Sequence, residues 1–232
     1  MSKALILFDI DGTLMITKGA GSRCLHRAGA MVFGDAFEWT DITVGTLDPQ
    51  IFEQLARHNA VEDPGKHLDQ FRETYLTLLQ EELQRVAQDI TLMPGITSLL
   101  GTLYQRPDDA VLGLLTGNFT RAAEIKLIAA GFDLSRFPIT AFAEDGRTRN
   151  DLPVSAMASY ARHTGQPVAP SRTLIVGDTP RDIECARANG CTVLAVATGR
   201  YTIEQLQQAG GDIVVKDLSD PTPLLHWLDS QG

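Results

Sequence analysis

The sequence predicts an α/β fold in which a doubly wound parallel sheet carries an inserted all-helical cap domain. Short apolar strands alternate with helical patterns from about residue 94 onward, and this alternation favours a parallel sheet with right-handed crossovers. Another apolar strand opens the chain, and the interval 16–93 that follows it shows helical periodicity only. We therefore expect a core formed by residues 1–15 and 94–232 and a cap formed by residues 16–93.

The elements of the core alternate regularly along the chain. Each strand is a short apolar run bounded by polar or turn-forming residues, and each helix shows apolar residues at helical spacing. Strands are predicted near 4–8, 111–115, 139–142, 172–176, 192–196 and 212–215. Helices are predicted near 96–105, 119–130, 154–163, 180–188, 202–209 and 221–229.

The cap is predicted to be helical, with no convincing strand. Two helices are expected near 19–34 and 48–60, and apolar residues recurring from Leu68 to Val86 indicate a long amphipathic helix. Such an insertion can close over a site and control the access of water, or it can serve only for packing or oligomerisation. The segment 45–48 either reaches toward the core or merely caps the helix that follows it.

The most informative segment is LILFDIDGTL, in which Asp9 and Asp11 directly follow the first strand. Side chains two apart on a strand point to the same side, so both carboxylates can lie together at the end of the strand. Because carboxylates held close together repel each other, we expect a cation between them. Oxygen ligands with no nearby Cys or His favour Mg²⁺ over Zn²⁺. Gly12 permits a close backbone approach to an anion and Thr13 adds a hydroxyl, although the plain alternative is an acidic turn that only reverses the chain.

Polar residues also follow two later strands. Thr116, Gly117 and Asn118 supply a hydroxyl, an amide and backbone N–H groups, which suit a phosphate oxygen. Asp178 and Asp182 follow another strand and flank the start of a helix. Each group taken alone could be a helix cap. Together they predict one ligand site, because the carboxyl ends of parallel strands meet at the edge where open α/β sheets bind ligands.

The order and spacing of these groups resemble the haloacid dehalogenase-like (HAD) superfamily of aspartate-nucleophile phosphohydrolases, which has a Rossmann-like core. The matching residues are Asp9 and Asp11 for the first motif, Thr116 for the second, and Asp178 and Asp182 for the fourth. The segment LMPGI at 92–96 resembles the return from cap to core in phosphoglycolate-phosphatase-like members.

The resemblance implies a mechanism. Asp9 would attack the phosphorus, and Asp11 would protonate the departing oxygen and later take a proton from water. The implied catalytic residues are Asp9, Asp11, Thr116 and Arg149, and the implied phosphate-binding residues are Gly12, Thr13, Gly117 and Asn118. The implied Mg²⁺ ligands are Asp9, the main-chain carbonyl of Asp11, and Asp178, with Asp182 acting through water or as an orienting partner.

The third motif departs from the family pattern. It usually supplies a lysine, and the region 142–154 contains none. Arg149 is our first choice as its substitute and Arg147 is the second. Arginine keeps the positive charge and can bind phosphate or carboxylate through two hydrogen bonds, but it presents a planar fork and not a point charge.

Asp11 also distinguishes between reaction types. Dehalogenases and phosphonatases of the superfamily generally lack an aspartate at this position, so its presence favours a phosphate ester. We therefore expect a Mg²⁺-dependent phosphatase that hydrolyses a small phosphorylated metabolite through an aspartyl-phosphate. A phosphomutase, which keeps both aspartates, is the alternative. A binding protein that lost turnover when Arg149 replaced the lysine is a third possibility.

The amino-acid composition limits the classes of binding partner and the cellular location that we expect. A net charge of −9 and a pI near 5.0 argue against a nucleic-acid partner. No apolar run approaches the ~20 residues of a membrane span, and the N-terminus lacks a signal-peptide cleavage pattern. We expect a cytoplasmic monomer or homodimer with no membrane partner.

Overall fold

The computed structural model describes residues 3–40, 45–85 and 89–232. The strands are β1 Ala4–Phe8, β2 Met15–Ile16, β3 Thr91–Leu92, β4 Ala110–Leu115, β5 Ile139–Ala141, β6 Thr173–Gly177, β7 Thr192–Val196 and β8 Ile213–Val215. The helices are α1 Ala20–Phe33, α2 Asp48–His58, α3 Leu68–Arg85, α4 Ile96–Tyr104, α5 Thr120–Ala129, α6 Leu152–Thr164, α7 Pro180–Ala188, α8 Ile203–Gln208 and α9 Thr222–Asp229.

Six strands form one parallel sheet in the order β5-β4-β1-β6-β7-β8. This confirms the predicted fold class. The central strand β1 is buried along its whole length, which explains why its sequence is a continuous apolar run without alternation. Since β1 pairs with β4 on one side and β6 on the other, the topological switch point lies beside it. The crevice at the carboxyl ends of these three strands is therefore the expected ligand site.

Both faces of the sheet are covered by helices. One face packs against α4, α5 and α9, through residues such as Leu99, Leu127 and Trp227. The other face packs against α6, α7 and α8, through residues such as Tyr160 and Ile183. Two such layers on a parallel sheet fix the strand ends rigidly with respect to one another.

The inserted helices α1, α2 and α3 build a third core of their own and share it with α5. Phe52, Phe71 and Tyr75 from the insertion are buried there together with Phe119 and Ile125. The helix α5 is thus buried on two sides, against the sheet and against the insertion. The assignment of 16–93 as a separate cap domain remains our proposal. The predicted amphipathic helix corresponds to α3, and Val86 lies outside the described residues.

The prediction that no strand lies between β1 and the strand at Val111 was wrong. β2 and β3 form a small antiparallel pair, with Met15 opposite Leu92 and Ile16 opposite Thr91. Strands of two residues are too short to show an alternating pattern, so the sequence carries no signal for them. The pair joins the two points at which the chain enters and leaves the insertion.

No helix within the described parts of the chain combines the length and the apolar character that crossing a membrane requires.

Gly95 at the start of α4 should be intolerant of substitution. Its φ is 83°, and an added Cβ would lie 2.0 Å from the main-chain carbonyl of Leu218. We expect Gly95→Ala to lower the free energy of unfolding by at least ~1–3 kcal/mol, the cost of a strained backbone conformation alone. Gly101→Ala is the matched control, because a Cβ within the exposed part of α4 meets nothing within 4 Å and should stabilise the helix by ~0.5–1 kcal/mol. Urea unfolding of both variants tests this, and equal stabilities would contradict it.

Candidate active site

Asp9 and Asp11 lie in the turn that follows β1. Asp9 is buried and donates its backbone N–H to the Val176 carbonyl, at 2.9 Å, which extends the pairing of β1 with β6. The side chain of Asp11 is 43% exposed and points away from this pairing toward α5. Burial raises the pKa of Asp9 to about 6, although the Arg149 charge lowers it. A carboxylate in such surroundings needs positive charge nearby to stay ionised at neutral pH.

Three carboxylates meet at the carboxyl ends of β1 and β6. One oxygen each of Asp9, Asp178 and Asp182 lies within 4.8 Å of the others. Burial is the main cause that raises the pKa of Asp178 to about 8, and the Asp182 and Asp9 charges contribute to this rise. An all-oxygen set of carboxylates that crowd and repel one another fits a hard divalent cation.

The Asp178 side chain fits into its position because two neighbouring residues, Gly12 and Gly199, have no side chain. A Cβ added at Gly12 would lie 2.5 Å from Asp178 Oδ2, and one added at Gly199 would lie 1.7 Å from it. The Thr13 hydroxyl donates to Asp178 Oδ1 at 3.4 Å. Sequence reasoning did not identify Gly199, although it follows β7 as the other site residues follow their strands.

Asp182 is buried and already engaged through both oxygens. Oδ1 pairs with the Arg149 guanidinium, and Oδ2 accepts the N–H of Thr179 at 3.0 Å and its hydroxyl at 2.7 Å. The contacts with Thr179 form the capping box of α7, which Pro180 opens. These contacts favour the orienting role over direct metal ligation.

Arg149 is the basic residue that contacts Asp9, the predicted nucleophile. Its side chain is 4% exposed, and Nη2 lies 3.0 Å from Asp9 Oδ2 and also contacts Asp182. Burial by itself lowers the pKa of Arg149, but Asp182 and Asp9 hold it above its ordinary value. Its Nε makes no hydrogen bond within the described residues. Arg147, our second choice, is exposed.

The residues after β4 lie next to Asp11. Asn118 donates from Nδ2 to Asp11 Oδ2 at 2.9 Å and to Thr116 Oγ1 at 2.7 Å. The backbone N–H groups of Gly12 and Thr13 donate within their own turn, to the carbonyls of Met15 and Ile10. Thr116 and Asn118 therefore border the site with side-chain groups, whereas Gly12 and Thr13 shape the turn.

A buried lysine that sequence reasoning missed also reaches the site. Lys126 extends from α5 and places Nζ 2.5 Å from Asp11 Oδ2 and 2.5 Å from Asn118 Oδ1. The only hint in the sequence is that this lysine stands between Ile125 and Leu127 on a predicted helix.

The segment 45–48 reaches down from the insertion onto the site. The Gly45 carbonyl accepts from Arg149 Nη1 at 3.2 Å, and the N–H of Asp48 donates to the Gly117 carbonyl at 2.7 Å. Asp48 Oδ2 in turn accepts the N–H of Phe119 at 2.8 Å. Burial raises the pKa of Asp48 to about 7, with the Lys126 charge opposing. The insertion therefore directly contacts two loops of the core, the one that carries Arg149 and the one that carries Thr116 and Gly117.

Comparisons with known proteins agree with this geometry. A HAD-hydrolase-like family model matches residues 152–221, which include Asp178 and Asp182. The chain is 26% identical to a probable phosphatase, IndB, of Dickeya dadantii over 97% of this chain and 95% of that protein. It is 24% identical to phosphoglycolate phosphatase of Escherichia coli over 98% of this chain and 94% of that protein.

A solved structure with a similar fold is β-phosphoglucomutase from Clostridium difficile. It superposes with a TM-score of 0.70 at 16% identity and covers 100% of this chain and 99% of that one. At this identity the similarity shows a shared fold. Taken together, the family model, the two phosphatases and this shared fold support a phosphatase-like protein of the HAD superfamily.

Proposed function

We propose that the protein is a Mg²⁺-dependent phosphatase that hydrolyses a small phosphorylated metabolite through an aspartyl-phosphate on Asp9. The observation that carries this proposal is the position of Asp9. Its carboxylate is buried against the Arg149 guanidinium and within 4.8 Å of carboxylate oxygens of Asp178 and Asp182. A nucleophile, a phosphate-binding cation and a metal-binding cluster are thereby concentrated at one strand end.

Asp9, Asp178 and the main-chain carbonyl of Asp11 would hold Mg²⁺, with Asp182 orienting Arg149. When bound, Mg²⁺ neutralises charge on the transferring phosphoryl group. Arg149 binds the equatorial phosphoryl oxygens and keeps the Asp9 carboxylate turned toward the phosphorus.

The remaining predicted site residues receive roles consistent with their contacts. Asp11 gives a proton to the departing oxygen and later accepts one from the attacking water. Thr116, Gly117 and Asn118 line the phosphoryl pocket. Gly12 and Thr13 shape the turn, and Gly12 leaves room for Asp178.

A phosphomutase is the second candidate, because β-phosphoglucomutase shares this fold. It would retain the phosphoryl group and return it to a second hydroxyl. Phosphate release without any added bisphosphate separates hydrolysis from transfer. Phosphoglycolate is the first substrate to test, since one relative is a phosphoglycolate phosphatase. A cytoplasmic monomer or homodimer remains the expected form.

Asp9→Asn should abolish turnover, by at least ~10³-fold, because an amide cannot attack phosphorus as a carboxylate does. It should also prevent acid-labile labelling of the protein by a radioactive phosphate ester. Asp108→Asn, on the exposed opposite end of the sheet, is the control and should leave both signals unchanged. Full activity of Asp9→Asn would remove Asp9 from the role of nucleophile.

Arg149→Ala should lower kcat/KM by ~10²–10³-fold, the usual loss when a group that stabilises transition-state charge is removed. Arg149→Lys should recover part of it, because the charge returns without the planar fork. Arg147→Ala is the matched control, since this arginine is exposed and, among the residues that the structure describes, makes hydrogen bonds through its backbone alone. If Arg147→Ala caused the greater loss, the assignment would be wrong by two positions.

Removal of metal with EDTA should silence the enzyme and change how its stability depends on pH. The metal-free folded protein keeps protons on Asp178 and Asp48, with pKa values of about 8 and 7, that the unfolded chain releases near 3.8. The free energy of unfolding should therefore fall as pH rises from 3.8 toward 8. Mg²⁺ should restore activity and flatten this slope, because a bound cation favours the ionised carboxylates.

Urea unfolding at a series of pH values, in EDTA and in Mg²⁺, measures this dependence. Asp178→Asn should flatten the slope and abolish the stabilisation by Mg²⁺, whereas Asp48→Asn should flatten it and preserve that stabilisation. Turnover that resists EDTA, or a pH dependence that Mg²⁺ leaves unchanged, would contradict the metal assignment.

A further inference from the structure

The buried Lys126 lies where no HAD motif identified in the sequence places a basic residue. It is 4% exposed, and Nζ contacts Asp11 Oδ2 and Asn118 Oδ1, each at 2.5 Å. Burial of a lysine is costly unless its charge is paired and its N–H groups are hydrogen-bonded. The pairing with Asp11 meets this requirement, so the lysine and the aspartate depend on each other for their positions.

The helix that carries Lys126 is fixed from two sides. Leu127 packs into the core under the sheet, and Ile125 packs into the core of the insertion. Asp48 further ties the start of this helix to the insertion through the Phe119 N–H. Lys126 therefore belongs to a rigid helix. It can hold the side chain of Asp11 in place, although that side chain is 43% exposed.

The contacts on Asp11 distinguish its two oxygens. Lys126 Nζ and Asn118 Nδ2 both donate to Oδ2, at 2.5 Å and 2.9 Å. Within the described residues, Oδ1 receives no hydrogen bond. A carboxylate held by two donors on one oxygen presents its other oxygen in a defined direction.

We propose that Lys126 is a positioning residue, which together with Asn118 holds Oδ2 of Asp11 so that Oδ1 faces the oxygen that leaves phosphorus. This inference rests on the proposed phosphatase function. In the first step the Asp9 oxygen–phosphorus bond forms, the ester oxygen–phosphorus bond breaks, and the proton on Oδ1 passes to the departing alcohol. In the second step water attacks phosphorus, its proton passes to Oδ1, and the Asp9 oxygen–phosphorus bond breaks.

The role predicts a dependence on the leaving group. p-Nitrophenolate departs without a proton, whereas p-methylphenolate, of nearly the same shape, gains much more from an acid. Loss of Lys126 should therefore slow the first-turnover release of p-methylphenol far more than that of p-nitrophenol. If Lys126 only filled space and neutralised charge in the interior, its loss should slow the release of both phenols by the same factor.

The experiment compares wild type, Lys126→Met, Lys126→Arg and the exposed control Lys66→Met with both aryl phosphates, in Mg²⁺ and with enzyme in excess. For Lys126→Met we expect p-methylphenol release to slow by ~10–100-fold relative to p-nitrophenol release, which is part of the typical contribution of a general acid. Lys126→Arg should restore most of the difference, and Lys66→Met should match wild type. Should Lys126→Met not fold, as judged by thermal unfolding, Lys126→Gln takes its place with the same outcomes.

An equal loss on both esters, or no loss on either, would overturn the role of Lys126 while leaving the phosphatase proposal in place. Wild-type protein that releases neither phenol would overturn the phosphatase proposal, and this inference with it.

Discussion

The structure depends on keeping several acidic groups buried at one end of one sheet. Burial, together with repulsion among Asp9, Asp178 and Asp182, raises the pKa values of Asp9 and Asp178 to about 6 and 8. Arg149 offsets part of this repulsion from within the cluster. A cation offsets the rest only when it is bound. The same crowding that destabilises the free protein would give the proposed Mg²⁺ site its affinity, because a binding site for a cation is a place where negative charge is confined.

The helix α5 couples the two halves of the molecule. It packs against the sheet on one side and against the inserted helices on the other. Its N-terminal N–H at Phe119 is bound by Asp48 from the insertion, and Lys126 near its C-terminal end reaches Asp11. A shift of the insertion would therefore move α5, and with it the Lys126 contact to Asp11, without a change in the sheet. Under the proposed mechanism, this arrangement would link the position of the insertion to the geometry of proton transfer at Asp11.

Much of the fold could be predicted from the sequence, because parallel strands buried on both faces are continuous apolar runs and because Asp9 and Asp178 stand directly after such runs. What was missed depends on contacts between distant segments. The strands β2 and β3 are too short to show a period. Lys126 sits on a helix buried on two sides, which has no amphipathic pattern to mark a lysine as unusual. The engagement of Asp182 by Arg149 and Thr179 likewise follows from loop packing and not from spacing.

The small pair formed by β2 and β3 has a consequence for how such molecules diverge. Paired residues on antiparallel strands lie about 5 Å apart, so the two ends of the inserted segment adjoin each other. An inserted segment whose two ends lie side by side can be lengthened, shortened or replaced by another segment. Such a change need not disturb the sheet and the helices that pack on it. Evolution can therefore change the inserted segment, and with it the substrate that the molecule recognises, while the residues at the ends of the sheet strands stay the same.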